Sequence, residues 1–259
     1  MVTIAAYQND PTNGQEDPFA APRIVSQTPT TVPLSPQEAL KSFRLPKGYH
    51  LEVVASEPMI SEPSALAWDG NGRLYVAQLE TYMQTIDAQG EDEPKSRVMR
   101  LEDTDDDGKM DKSSVFIDSL LSPRMILCVG RELLVSETNT YNIYAYQDTN
   151  GDGKADQKRP VYLNPKRAYG NVEHQRSGLD WNLDNWLYIT TDPVRFKYKK
   201  GALTVDTLVG GSNGQWGMTH DNYGRLFFSR AASGIAATGF SDQSRLRPAR
   251  FCRCVRGRL

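Results

Sequence analysis

Three segments of this chain repeat one pattern. LAWDGNGRLYVA (66–77), LDWNLDNWLYIT (179–190) and MTHDNYGRLFFS (218–229) each begin apolar and pass through a ring to Asp or Asn. Each then turns within three or four residues and leaves on Leu, an aromatic and a β-branched or aromatic residue. A fourth copy, ILCVGRELLVS (126–136), has the same strand–turn–strand shape with a shorter turn. Anchored on Leu74, Leu133, Leu187 and Leu226, the units recur every ~40–60 residues, the period of β-propeller blades. The expected fold is therefore all-β, a propeller of which about four blades are present.

Two acidic loops fall inside that scheme. DTDDDGKMD (103–111) returns one blade later as DTNGDGKAD (148–156). SRVMRLE and SSVFIDSL flank the first as strands, YNIYAYQ and KRPVYLN the second, so each loop joins two strands within a blade. Asp103, Asp105 and Asp107 stand at loop positions one, three and five, Gly108 at the sharp turn and Asp111 at nine. Asp148, Asn150, Asp152, Gly153 and Asp156 repeat them, and the carbonyls of Lys109 and Lys154 take position seven. Oxygen ligands at alternate positions curl round one hard cation, so both loops are expected to hold calcium in a structural role. Position twelve carries Ser114 and Arg159 rather than Glu, so these are not complete EF-hand loops. The plainer reading is an Asp/Gly-rich turn without metal.

Composition narrows the classes. Thirty basic residues stand against 32 acidic, so charge gives no reason to expect nucleic acid or a membrane surface as partner. No run is long and apolar enough for a transmembrane span. Three cysteines make no disulfide framework, and no C-x-x-C-H haem site is present. MVTIAAYQND lacks the apolar core of a signal peptide, which reads either as a cytoplasmic chain or as one whose start lies upstream. Residues 1–34 are proline-rich and polar and are expected to be a disordered linker, because such a stretch buries too little to offset its ordering entropy. Ser35, Pro36 and Glu38 form a capping box opening a short helix, and the propeller is assigned to 35–240.

Of three histidines, His220 aligns with Trp68 and Trp181 and is assigned a packing role, and His50 in GYHLEVV an exposed strand face. His174 differs. It precedes an inner strand in NVEHQRSGLDWN, among Glu173, Gln175, Arg176 and Asp180. Together, LSPQEALKSFRLPKGYHLEVVASEP, LEDTDDDGKMDKSSVF, YQDTNGDGKAD and HQRSGLDWNLDNWLY resemble the propeller of bacterial membrane-bound dehydrogenases related to glucose/sorbosone dehydrogenases. Many of these end in a cytochrome c module. The resemblance spans about residues 34–240. It implies a six- or seven-bladed ring, export to the periplasm or cell surface, and oxidation of a sugar or alcohol substrate. It implies pyrroloquinoline quinone as cofactor, cytochrome c as a possible acceptor, and His174 as catalytic base. Arg176, Arg195 and Lys197 are candidates to meet the cofactor's carboxylates, although the family pattern carries none of the three. Without catalysis, His174 is a hydrogen-bonding residue lining a channel, and the whole is a calcium-stabilised propeller that binds a glycan or protein.

The chain departs from that family in two places. Four units are too few to close the implied ring. The end, SRLRPARFCRCVRGRL, packs arginines around Cys252 and Cys254. This tail, within 241–259, reads as a product of a truncated or shifted frame, or else as a basic segment for an anionic partner.

Overall fold

Alternating apolar residues around short turns, led by Asp or Asn in three segments and made of Gly130 and Arg131 in the fourth, make each repeated segment a β-hairpin. The computed structural model describes residues 32–165, 170–208, 214–230 and 237–241. Most of the expected linker 1–34 and of the tail 241–259 lies outside the described residues. The chain divides into two units, Met1–Val53 and Val54–Leu259.

In the first unit, helix α1 (Pro36–Ser42) opens with the expected box. The Glu38 N–H donates to Ser35 Oγ at 3.3 Å, and the Ser35 N–H donates to Glu38 Oε2 at 3.0 Å. His50 is exposed and bonded to Glu52 at 2.8 Å, but no strand runs through it. The expected strand face is therefore corrected.

The second unit is a run of antiparallel sheets. The first contains β1 (Pro63–Trp68), β2 (Leu74–Gln78), β3 (Ser96–Glu102) and β4 (Lys112–Leu120). The second contains β5 (Pro123–Val129), β6 (Glu132–Glu137), β7 (Ile143–Gln147) and β8 (Gln157–Tyr162). In the third are β9 (Gly178–Trp181), β10 (Leu187–Ile189), β11 (Val194–Lys199) and β12 (Ala202–Thr207). The fourth shows β13 (Met218–His220), β14 (Leu226–Arg230) and β15 (Ala237–Ser241) among the described residues. First strands of successive sheets lie side by side, β1 on β5, β5 on β9 and β9 on β13. One parallel bridge, Met125 with Gly178, links the second sheet to the third. Four-stranded meanders whose first strands neighbour one another make a β-propeller, and the sheets are its blades.

Strand alternation explains the packing between blades. Leu133 and Val135 face the first blade, with Ala67, Tyr75, Ala77 and Phe116. Leu134, one residue out of phase, faces the third, with Leu187, Ile189 and Phe196. Fully burying a side chain of this kind contributes about 1.5–3 kcal/mol. The free side of the first blade is covered differently. Val54, Ala55, Met59 and Ile60 pack on Leu74, Val76 and Leu101, while Leu66 and Trp68 on the same face stay 60% and 53% exposed.

Candidate functional site

Both acidic loops sit where the repeat puts them, between β3 and β4 and between β7 and β8. Their backbones are held alike. Asp103 Oδ2 accepts from Gly108 N–H at 2.8 Å, and Asp148 Oδ2 from Gly153 N–H at 2.9 Å. Asp111 accepts from Thr104 and Asp156 from Thr149, through N–H and hydroxyl in both cases. Lys109 and Lys154 donate their N–H groups to Asp107 and Asp152, each at 2.8 Å. Gly108 and Gly153 take φ of +87° and +91°, which glycine adopts at little cost.

The side chains then diverge. Oxygens of Asp103, Asp105 and Asp111 lie within 4.8 Å of one another, and Asp103 Oδ1 is buried without a hydrogen-bond partner among the described residues. That donor set fits a hard cation. Asp107 turns away to the Lys109 ammonium at 3.0 Å. In the second loop Asp148 meets the Arg100 guanidinium of the first blade at 3.4 Å, and Asn150 bonds Asp152 at 3.3 Å. Burial pushes the Asp148 carboxyl up. The N–H donors of Gly153 and Gly151 and the Arg100 charge outweigh it, leaving the group below its ordinary value.

A second site lies among the innermost strands. A cavity of about 400 Å³ is walled by Ser64–Trp68 of β1, by β5 and β9, and by residues 216–218. Trp68, Trp181 and Trp216 line it, with Asp180 and Arg124. The Arg124 side chain is buried, its Nε 3.1 Å from Ser177 Oγ and its guanidinium 3.9 Å from the Trp216 ring centre. Cys128 also lines the wall, and burial pushes its thiol up to about 12, so it is no nucleophile at neutral pH.

His174 ends a single turn, Val172–His174, just before β9. It is exposed, with Nδ1 3.4 Å from Gln215 Nε2, next in sequence to the cavity's Trp216. Gln175 and Ser177, both buried, fix the segment. Gln175 Oε1 accepts the Asn139 N–H at 2.7 Å, and the Ser177 N–H donates to Thr190 Oγ1 at 3.1 Å. His220, aligned with tryptophan, sits at the interface between blades and adds a polar contact to the packing expected of it. Its Nδ1 lies 2.8 Å from Asp180 Oδ2, because the ring faces a carboxylate on the neighbouring blade.

The three candidate cofactor cations do not converge. Arg176, beside His174, pairs with Asp192 at 2.5 Å and lies over Tyr141. Arg195 and Lys197 belong to β11 and stack on Trp186, in the turn at the other end of β9. Arg195 is paired there with Asp206 at 2.9 Å. Together the three do not fit one polycarboxylate cofactor.

Residues 35–253 match the model of a family described as a domain of unknown function, DUF7133. The chain belongs to that family. Both loops, all three histidines and the cavity fall within the DUF7133 span. No curated protein is similar enough to match the chain. Among solved structures it is similar to a gluconolactonase of Xanthomonas campestris, at 19% identity and a TM-score of 0.47, over 70% of this chain and 58% of that one. A candidate gluconolactonase is similar at 18% identity and a TM-score of 0.45, over 68% and 56%. Hydrazine synthase of Kuenenia stuttgartiensis follows at 11% and 0.41, over 69% and 58%. The chain thus spans less than two thirds of these structures. The family matched is DUF7133, not the glucose/sorbosone dehydrogenases as such.

Proposed function

We propose that this chain is the substrate-binding propeller part of an exported oxidoreductase acting on a sugar or alcohol. One observation carries the reading: the open cavity of about 400 Å³ bounded by innermost strands, with three tryptophans and a carboxylate on its walls. Indole faces suit the C–H face of a sugar, and a few polar groups suit its hydroxyls. His174, in the turn just before β9 and 3.4 Å from Gln215, is the candidate base. A neutral imidazole there takes the hydroxyl proton, while the carbon-bound hydrogen leaves with its electron pair. The hydride acceptor is a quinone, held elsewhere than by Arg176, Arg195 and Lys197 together, and a haem such as that of a cytochrome c then takes its electrons one at a time. Export to the periplasm or cell surface is the part of this reading that the resemblance to membrane-bound dehydrogenases supports. Calcium in the first loop, on Asp103, Asp105 and Asp111, is part of the same proposal and serves the fold.

Dye reduction by the full-length protein, supplied with pyrroloquinoline quinone or cytochrome c and a panel of sugars and alcohols, tests the chemistry. His174→Ala should abolish turnover without changing the melting temperature. Retained turnover removes His174 from the mechanism. The second reading is a calcium-stabilised propeller that binds a glycan or protein without catalysis, and the failure of the three cations to converge favours it. Sugar binding with no reduction through any acceptor would establish it.

A further inference from the structure

Each interface between blades has an innermost pair, one residue from the leading sheet and one from the next. In the first it is Ala67 and Cys128, within one apolar cluster. In the second it is Leu127 and Trp181, packed against the next cluster. In the third it is Asp180 and His220, 2.8 Å apart, with side chains 16% and 24% exposed. The repeats align Asp180 with Ala67, Leu127 and Thr219, so a carboxylate stands where other blades carry a small or apolar residue. Stability does not explain the exchange, since apolar residues of similar volume hold an interface as well as a buried ion pair. A local rule broken at one repeat points to function.

Asp180 lines the cavity. Its Oδ2 is taken by His220, and among the described residues nothing donates to Oδ1. We propose that Asp180 anchors a polyhydroxylated ligand in this cavity, Oδ1 accepting a ligand hydroxyl while the indoles of Trp68, Trp181 and Trp216 meet its C–H faces. His220 is a positioning residue: its ring holds the carboxylate across the interface and leaves Oδ1 turned from it. This rests on the reading of the cavity as a sugar or alcohol site.

Ionised Asp180 accepts a hydroxyl more strongly than the neutral acid. Burial pushes this carboxyl up, and the hydrogen bond and charge of His220 work against it. The other groups around it are Tyr188, its cross-strand partner on β10, and Arg124 and Cys128 from β5. Burial holds both Tyr188 and Cys128 at about 12, well outside the acid range. Affinity should therefore fall as pH drops through the Asp180 titration.

Binding of D-sorbitol and D-glucose, followed by calorimetry and tryptophan fluorescence, tests this in the wild type, Asp180→Asn and His220→Gln. Asp180→Asn should weaken binding about tenfold and flatten the acid limb. His220→Gln should weaken it less and move the midpoint of that limb, an effect that a purely structural pair would not produce. Wild-type binding matched by Asp180→Asn overturns the anchor and leaves the cavity reading standing. Binding of neither polyol by the wild type overturns both. Should Asp180→Asn fail to fold, the wild-type pH profile decides, and an affinity that does not change below neutral pH overturns the anchor.

Discussion

In the loop between β3 and β4, the carboxylates of Asp103, Asp105 and Asp111 crowd within 4.8 Å of one another. In the loop between β7 and β8, Asp148 instead faces Arg100, reaching over from β3 of the preceding blade. The two backbones carry the same hydrogen bonds at the same positions. What differs is the source of positive charge. Clustered carboxylates repel one another unless a cation lies among them. The second loop receives a guanidinium from its neighbour, whereas the three carboxylates of the first face one another. The loop motif therefore specifies a turn, whereas the partners of its carboxylates depend on which blade stands beside it.

The largest effect that would break this contrast is loss of Arg100. Its side chain is 10% exposed, paired with Glu102 and Asp148. Arg100→Met keeps the aliphatic stem but leaves two carboxylates without their shared cation. The expected cost is about 2–3 kcal/mol in denaturant unfolding, given that the pair is only partly buried. A cost near zero would mean that Arg100 is no counter-ion and that the loops are equivalent.

How far the sequence carried this distinction depends on the range of the interactions. The hairpins were legible because turn residues and alternation act within a dozen positions. Asp69 shows this: its Oδ1 accepts the N–H groups of Asn71 and Arg73, and Asp221 does the same for Tyr223 and Arg225. The strand expected at LEVV failed because Val54 and Ala55 are drawn onto the bare face of the first blade, joined to it by one bond, Met110 N–H to the Val54 carbonyl at 2.9 Å. Arg100 with Asp148, and Asp180 with His220, join side chains from different blades. No local pattern announces such pairs. The one available signal for Asp180 was a charge at a repeat position that is otherwise small or apolar. Arg195 and Lys197 misled for the converse reason: their register on β11 aims them at Trp186, which a list of cationic residues does not reveal.

Calcium gives an intermediate effect. At ten times its dissociation constant, an ion bound only by the folded state adds about 1.4 kcal/mol. Wild-type protein should melt higher in calcium than in chelator. Asp105→Asn should remove that difference, and Asp152→Asn, in the loop served by Arg100, should leave it. An unchanged melt between calcium and chelator would show the first loop empty. Equal loss in both variants would show both loops loaded, and the contrast between them would disappear.

The smallest effect lies in the acid limb of stability. The folded Asp148 carboxyl titrates below its unfolded value, near 3.9, so it binds its proton less readily folded than unfolded. Its contribution is therefore complete above that unfolded value and is lost as pH falls through the lowered folded one. Asp148→Asn should cost stability at pH 6 and much less at pH 2.5, compared by melting temperature at each pH. Asp107 of the first loop is also held low, by its hydrogen bond to Lys109, but it is solvated. Asp107→Asn should leave the acid limb where it was. If the two variants shift that limb alike, the carboxylate beside Arg100 is no better neutralised than its exposed counterpart, and the arginine is a bystander to the loop.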